Sequence, residues 1–228
     1  CKGLLNMIIV LVGKTASGKT TVANELCNKH HGYKRIITYT TRPMRENETQ
    51  DVDYHFISDE QFNKMVENNE FTEYKRYNTA HGVWSYGSVV TSEQELSDDC
   101  YVIILTPQGL RDLSRKISRY IAFYLNVSFK SQLERLKKRG DEEQQIIKRL
   151  ENDDKDFENV LDIVDYSFCT DISLPQEVAN AILNFISSSI TDKLMERHFN
   201  LLLVYDSDNI AKQKLIEFLM KEKGIINL

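Results

Sequence analysis

Only four cysteines, three prolines and one tryptophan occur in 228 residues, and what is scarce here narrows the field before any motif is read. Cys1, Cys27, Cys100 and Cys169 are dispersed without a CxxC pair. That spacing disfavours a zinc site or a disulfide framework and fits reduced thiols in a cytoplasmic protein. No apolar run reaches the roughly 18 residues that a membrane span needs. Basic residues are outnumbered, 29 Lys and Arg against 34 Asp and Glu, for a formal charge of −5. A general nucleic-acid binder would present a basic surface instead. Internal repeats and low-complexity linkers are also missing, and the length allows one α/β domain with insertions or a core plus an appendage. His30 and His31 are adjacent and cannot face the same way on a helix, which favours a polar C-terminal turn over a metal pair. Met7 reads as a native start, with residues 1–6 a remnant or a short natural extension.

What is present begins with Gly13-Lys14-Thr15-Ala16-Ser17-Gly18-Lys19-Thr20, a complete phosphate-binding loop. It follows the β-branched run Ile8 to Val12 and precedes a segment in which Val22, Ala23 and Leu26 mark one helical face. Strand, glycine-rich loop and helix are the context the chemistry requires. Backbone N–H groups and the positive end of the helix then face an anion. Lys19 adds a point charge for the β and γ phosphates, and the Thr20 hydroxyl can ligate Mg²⁺.

Arg42 and Arg45, three residues apart and followed by Tyr54, form a second anion clamp. Arginine presents a planar fork suited to phosphate, and tyrosine adds a neutral hydroxyl donor. Alone, such a segment is equally a solvated basic turn. Together with the upstream loop it points to phosphoryl transfer.

On these residues the chain resembles the guanylate kinase family. The resemblance runs through Thr38, Thr40-Thr41-Arg42, Pro43-Met44-Arg45, Asn47-Glu48 and Asp53-Tyr54-His55-Phe56, then Asn68 to Glu73 and Tyr86-Gly87-Ser88, and spans roughly residues 7–187. It implies that Arg42, Arg45, Tyr54 and Tyr86 hold the phosphate of an acceptor nucleotide, with Thr38 close by, and that Glu73 and Ser88 read the base. A carboxylate accepts from guanine N1 and N2 hydrogens, and a hydroxyl donates to O6. Arg135, Arg139 and Arg149 stand where the family places cations around the donor phosphates. Each one singly fits the charged face of an amphipathic helix equally well. No protein nucleophile is needed, because an oxygen of the acceptor phosphate attacks the γ-phosphoryl group while Lys19, Mg²⁺ and arginines stabilise the charge. A closing lid would keep water out.

The resemblance has departures. Pro43 comes one place early, and Asn47 replaces a glycine. A hairpin a few residues longer than usual is expected between Glu73 and Tyr86. Ile104 and Thr106 occupy positions where the family carries two carboxylates, one orienting Mg²⁺ through water and one contacting the acceptor base. Asp98 and Asp99 lie at the other end of that strand and cannot substitute.

The expected fold is a three-layer α/β P-loop domain with a parallel central sheet. Predicted elements are strand Ile8–Val12, helix Thr20–Asn28, strand Arg35–Thr38, an acceptor-binding insertion over about 38–90, strand Tyr101–Leu105 and helix Gln108–Lys116. Strand Ile121–Val127, helix Lys130–Lys138, a lid over about 139–150, helix Gln144–Asn159, strand Tyr166–Cys169 and helix Pro175–Ser187 complete the core. Residues 191–228 form a C-terminal extension. Within it Asn209 to Lys223 is amphipathic, with Ala211, Leu215, Phe218 and Leu219 on one face, and Gly224 stops it. Leu201 to Tyr205 reads as a strand or as the middle of a helix. That apolar face is expected to pack on the core or to form a homodimer interface.

The function expected from this pattern is ATP- and Mg²⁺-dependent transfer to a nucleoside monophosphate, GMP or dGMP first, with no nucleic-acid or membrane partner. Two alternatives stay open. One is a guanylate-kinase-like module that binds protein without turnover, and the other a kinase for another phosphorylated small molecule.

Overall fold

A five-residue strand, β1 (Ile8–Val12), is buried along its whole length, as a central strand with parallel neighbours on both sides must be. The computed structural model describes residues 7–29, 32–46, 48–79, 82–97, 99–140 and 143–188. After β1 come α1 (Lys19–Lys29), β2 (Tyr33–Arg35), β3 (Tyr39–Thr40), β4 (His55–Phe56), α2 (Asp59–Glu67), β5 (Glu73–Thr79), β6 (Gly82–Ser88) and α3 (Ser92–Leu96). The chain continues with β7 (Cys100–Leu105), α4 (Pro107–Ser114), β8 (Tyr120–Asn126), α5 (Phe129–Lys138), α6 (Glu143–Asp156), a 3₁₀ turn at Val160–Asp162 and β9 (Tyr166–Cys169). A further helix starts at 175. The chain divides into two units, Cys1–Ile182 and Leu183–Leu228. Of the second, only the helical residues 183–188 are described. The amphipathic segment and the apolar run expected beyond 191, and His30-His31, lie outside the described residues.

The main sheet has the order β2-β7-β1-β8-β9, and every pairing in it is parallel. Parallel neighbours need crossovers, and helices supply them. Alternation on β1 sends Ile8, Val10 and Val12 into one cluster with Leu110 and Leu113 of α4. Ile9 and Leu11 therefore face the other side, and α1 packs on β1, β2 and β7. The result is the expected three-layer P-loop architecture.

A second, four-stranded sheet has the order β4-β3-β6-β5. Its β5–β6 hairpin pairs Glu73 with Ser88 at the open end and Thr79 with Gly82 at the turn. Helix α2 is fixed by a capping box, Ser58 with Gln61. All four strands of the second sheet fall within residues 38–90.

Two elements end three residues earlier than the sequence reading, the other boundaries shifting by two residues or fewer. The second strand occupies Tyr33–Arg35, not Arg35–Thr38. Ile36 N donates to Val102 O at 2.9 Å, after which the chain leaves this edge for the second sheet. Helix α6 stops at Asp156 rather than Asn159, because Asn159 adopts a left-handed conformation at φ 58° that a helix cannot propagate through.

Candidate functional site

The loop between β1 and α1 is bent tightly enough that a Cβ on Gly13 would lie 2.4 Å from Ser17 Oγ and 2.8 Å from Leu125 O. Ala16 and Gly18 take positive φ, 60° and 89°. For alanine that conformation is strained by about 1 kcal/mol or more, and Arg135 helps hold it. Its Nη1 donates to Ala16 O at 3.0 Å, and its Nη2 donates to Thr170 O. Lys19 folds back on the loop, with Nζ donating to Gly13 O at 2.5 Å and Lys14 O at 2.8 Å. Burial lowers its pKa to about 8, with Asp153 opposing and the charge of Arg139 adding to the effect. Thr20, one residue on, is exposed.

Helix α6 reaches this loop with two carboxylates and the second sheet with a third. Asp153 accepts from Thr15 N at 2.7 Å, from Thr15 Oγ1 at 3.3 Å and from Gln132 Nε2 at 2.6 Å. Burial raises its pKa, and the hydrogen bonds and Lys19 oppose that rise. Asp154 pairs with Lys14 at 2.6 Å. Asp156 pairs with Lys75 of β5 at 2.7 Å. One helix is thereby tied both to the phosphate-binding loop and to the second sheet.

On the second sheet, Arg42 is only 5% exposed. Both ends of its fork meet Glu48, at 2.8 Å each, and Nη1 also donates to Pro43 O at 2.8 Å. Its guanidinium lies 5.2 Å from the Tyr54 ring centroid and 5.5 Å from that of Phe56. Tyr54 in turn meets Tyr86 edge-on, centroids 6.1 Å apart. Glu48 also accepts from Arg45 N at 2.8 Å. Arginine, acid and tyrosines make one interlocked group.

Glu73 is buried at the open end of the hairpin, opposite Ser88. Burial pushes its carboxyl up to about 7, with hydrogen bonding from Ser88 opposing. Ser88 Oγ lies 3.4 Å from Thr38 Oγ1. The Glu73 carboxylate sits against the start of α4 so closely that a Cβ on Gly109 would be 2.8 Å from its Oε2. Thr106 caps α4, its hydroxyl accepting from Gly109 N at 3.1 Å. That leaves the hydroxyl hydrogen available as a donor. Asp99, at the far end of β7, pairs with Lys34.

Lys19, Asp153, Asp156, Arg42, Tyr54, Tyr86, Glu73 and Thr106 line one cleft of about 1040 Å³. Every candidate residue named from sequence lines it except Lys14, whose amine is held by Asp154, and Ser88, which lies fully buried behind Glu73. Arg139, Arg149 and Ile104 are among the lining residues. Sequence reading missed Arg35, Lys75, Tyr77, Trp84, Asp153 and Asp156, which also line it. Placing the second strand two residues late put Arg35 at its start instead of at its carboxyl end, where ligands of parallel sheets bind. For Asp153, one acid in a polar helix carried no signal. Among the described residues no cluster of three His, Cys, Asp or Glu side chains is arranged for a metal. No helix of the described residues is long and apolar enough to cross a membrane.

A family model described as guanylate kinase matches residues 6–174. Guanylate kinase of Tropheryma whipplei (strain Twist) is 33% identical over 162 residues, covering 69% of this chain and 82% of that protein. That of Neisseria gonorrhoeae is 31% identical over 145 residues, covering 62% and 69%. The crystal structure of guanylate kinase from Anaplasma phagocytophilum shares the fold, with a TM-score of 0.60 at 20% identity over 80% of this chain and 85% of that one.

Proposed function

The chain belongs to the guanylate kinase family, and from that premise we propose that it transfers the γ-phosphoryl group of ATP to GMP or dGMP. The family relationship supports a nucleotide-kinase function. The observation that carries the finer reading is the single cleft, with a phosphate-binding loop in one wall and an arginine–tyrosine cluster beside a buried carboxylate in another. Donor and acceptor then share one cleft, which proximity catalysis requires.

In this reading Gly13 to Thr20 bind the donor phosphates, with Lys19 neutralising charge that develops on the transferring group. The loop fits a polyphosphate, since its turns and the start of α1 gather backbone N–H groups. Thr20 would hold Mg²⁺, whose chemistry when bound is to draw charge from the donor phosphates. Ile104 supplies no carboxylate toward that ion, so more of the charge stabilisation falls to Lys19, Arg139 and Arg149. Arg135 serves the donor site by fixing Ala16. On the acceptor side Arg42, Arg45, Tyr54 and Tyr86 orient the monophosphate, while Glu73 accepts from the N1 and N2 hydrogens of guanine, backed by Ser88, Thr38 and Thr106. An acid left unpaired by the wrong base would cost about 1–3 kcal/mol, which sets the scale of base discrimination. The insertion over 38–90 is the acceptor-binding part, and residues of about 139–150 are the lid.

An ATP-coupled assay over ribo- and deoxyribonucleoside monophosphates and sugar phosphates tests the proposal. Turnover led by GMP and dGMP supports it. Efficient turnover of another acceptor with GMP ignored would remove the assignments of Glu73 and Ser88 while leaving the donor loop intact.

A further inference from the structure

Arg35 ends β2 at the carboxyl edge of the parallel sheet and lines the cleft. Its Nη1 donates to Asn24 Oδ1 of α1 at 3.3 Å. Its Nε is buried and has no hydrogen-bond partner, the one such side-chain nitrogen or oxygen among the described residues. A buried donor without an acceptor is costly and rare in folded proteins. In a cleft wall, the economical explanation is an acceptor atom brought by a ligand.

Charge accounting at the acceptor side points the same way. Arg42 is bound at both ends of its fork by Glu48, so that pair orients but adds no net positive charge. A monophosphate arrives with close to two negative charges. Arg35 makes its hydrogen bond to a neutral amide, so its charge is uncompensated there. That charge reaches the acceptor cluster: burial raises the Tyr54 pKa, and Arg42 and Arg35 both act against the rise. Arginine at such a place offers a fixed N–H direction that lysine does not.

We propose that Arg35 is a third arginine of the acceptor-phosphate site, its buried Nε–H donating to a phosphate oxygen of the incoming monophosphate. The inference rests on the proposed function for the identity of the acceptor, but not for the site itself. Arg45 and Tyr54 line the same cleft as Arg35. A purely structural Arg35 would only pin β2 to α1 through Asn24.

Two substitutions separate these roles. Arg35→Gln keeps an amide for Asn24 and removes the charge and the Nε–H. Asn24→Ala removes the structural partner and leaves Arg35 in place. Arg35→Gln should raise the GMP KM by about tenfold or more, the scale of a charge-assisted hydrogen bond, with the ATP KM within about twofold of wild type. Asn24→Ala should leave both constants nearly unchanged. The Arg35 Nε–H cross-peak in an ¹H–¹⁵N spectrum, assigned by its loss in Arg35→Gln, should shift on adding GMP or inorganic phosphate and stay still with guanosine. A cross-peak that moves with phosphate but not with GMP would sustain the phosphate site and remove GMP as its occupant. A cross-peak unmoved by either anion, or a wild-type GMP KM in Arg35→Gln, would overturn the inference.

Discussion

The Asp153 carboxylate takes the Thr15 backbone N–H at 2.7 Å, a donor at the mouth of the loop that would otherwise face an incoming polyphosphate. The same carboxylate lies within electrostatic reach of Lys19. A negative group held there opposes a negative ligand. Asp153→Asn removes the charge and keeps an oxygen for Thr15, so ATP should bind about threefold to tenfold tighter without Mg²⁺, the range of one partly screened charge. Calorimetric titration reads this directly. Weaker binding would mean that the carboxylate shapes the loop for the donor instead.

The neighbouring pair Asp156–Lys75 couples α6 to β5, so release at the loop is free to travel to the acceptor side. Lys75→Met should speed amide exchange in α6 and change turnover more than ATP affinity. Hydrogen exchange by mass spectrometry checks it. Unchanged protection of α6 would show that this ion pair contributes little, as most solvated pairs do.

Lys19 should matter twice. Lys19→Ala should lower kcat by roughly 10² or more, the scale for removing one preorganised charge-stabilising group, with the melting temperature little changed. Its pKa near 8 in the free protein also gives a pH signature. Below that value the amine is charged and ready for phosphate. Above it, binding must take up a proton, so ATP affinity should fall as pH rises beyond about 8. Calorimetry in buffers of different ionisation enthalpy would register the uptake.

Glu73 predicts the opposite slope. Its pKa is raised to about 7 by burial, and guanine recognition needs the ionised form. Acceptor affinity should therefore fall as pH drops through about 7. For folding, the raised value favours the protonated state. Glu73 costs no stability below its unfolded pKa, and the cost grows as pH rises from there through about 7. Glu73→Gln should gain stability over wild type at pH 8 and not at pH 4, while losing GMP preference. Equal stability changes at both pH values would contradict this.

Thr106→Asp places a second carboxylate beside Glu73, because both side chains approach Gly109. Aspartate can still cap α4. Guanine should then be preferred more strongly over hypoxanthine, which lacks the 2-amino donor, and the acid limb of the acceptor pH profile should move upward through like-charge repulsion. Initial rates with GMP and IMP across pH 6 to 9 test both parts.

Arg42 and Arg45 separate along the line drawn by Glu48. Removing Arg42 leaves a half-buried acid unpaired, so Arg42→Ala should cost about 3 kcal/mol of stability as well as acceptor affinity. Arg45 is exposed, and Arg45→Ala should weaken GMP alone. Denaturant unfolding beside steady-state kinetics distinguishes them. Equal stability losses would place Arg45 in the same packed cluster.

Much of this was readable from sequence because the informative signals were local. The Gly13 to Thr20 loop carries its own turns, and the all-apolar β1 fixes its place between β7 and β8. Glu73 and Ser88, fifteen positions apart, meet because the hairpin register pairs them directly. Arg35, Asp153 and the Arg42–Glu48 pairing were less legible. Arg35 depends on where an edge strand stops, and edges have few constraints on length. Asp153 differs from Asp154 beside it only by its direction on α6, which tertiary packing decides. Composition cannot report that an arginine already has an acid on both ends of its fork.

The central claim is transfer of the γ-phosphoryl group from ATP to a guanine monophosphate in this cleft, and product analysis tests it most directly. Purified protein incubated with ATP, Mg²⁺ and GMP should yield GDP and ADP in equal amounts by anion-exchange chromatography, and Lys19→Ala should abolish both. ADP formed without GDP would reveal hydrolysis instead of transfer. Neither product, from folded protein that still binds GMP, would contradict the account.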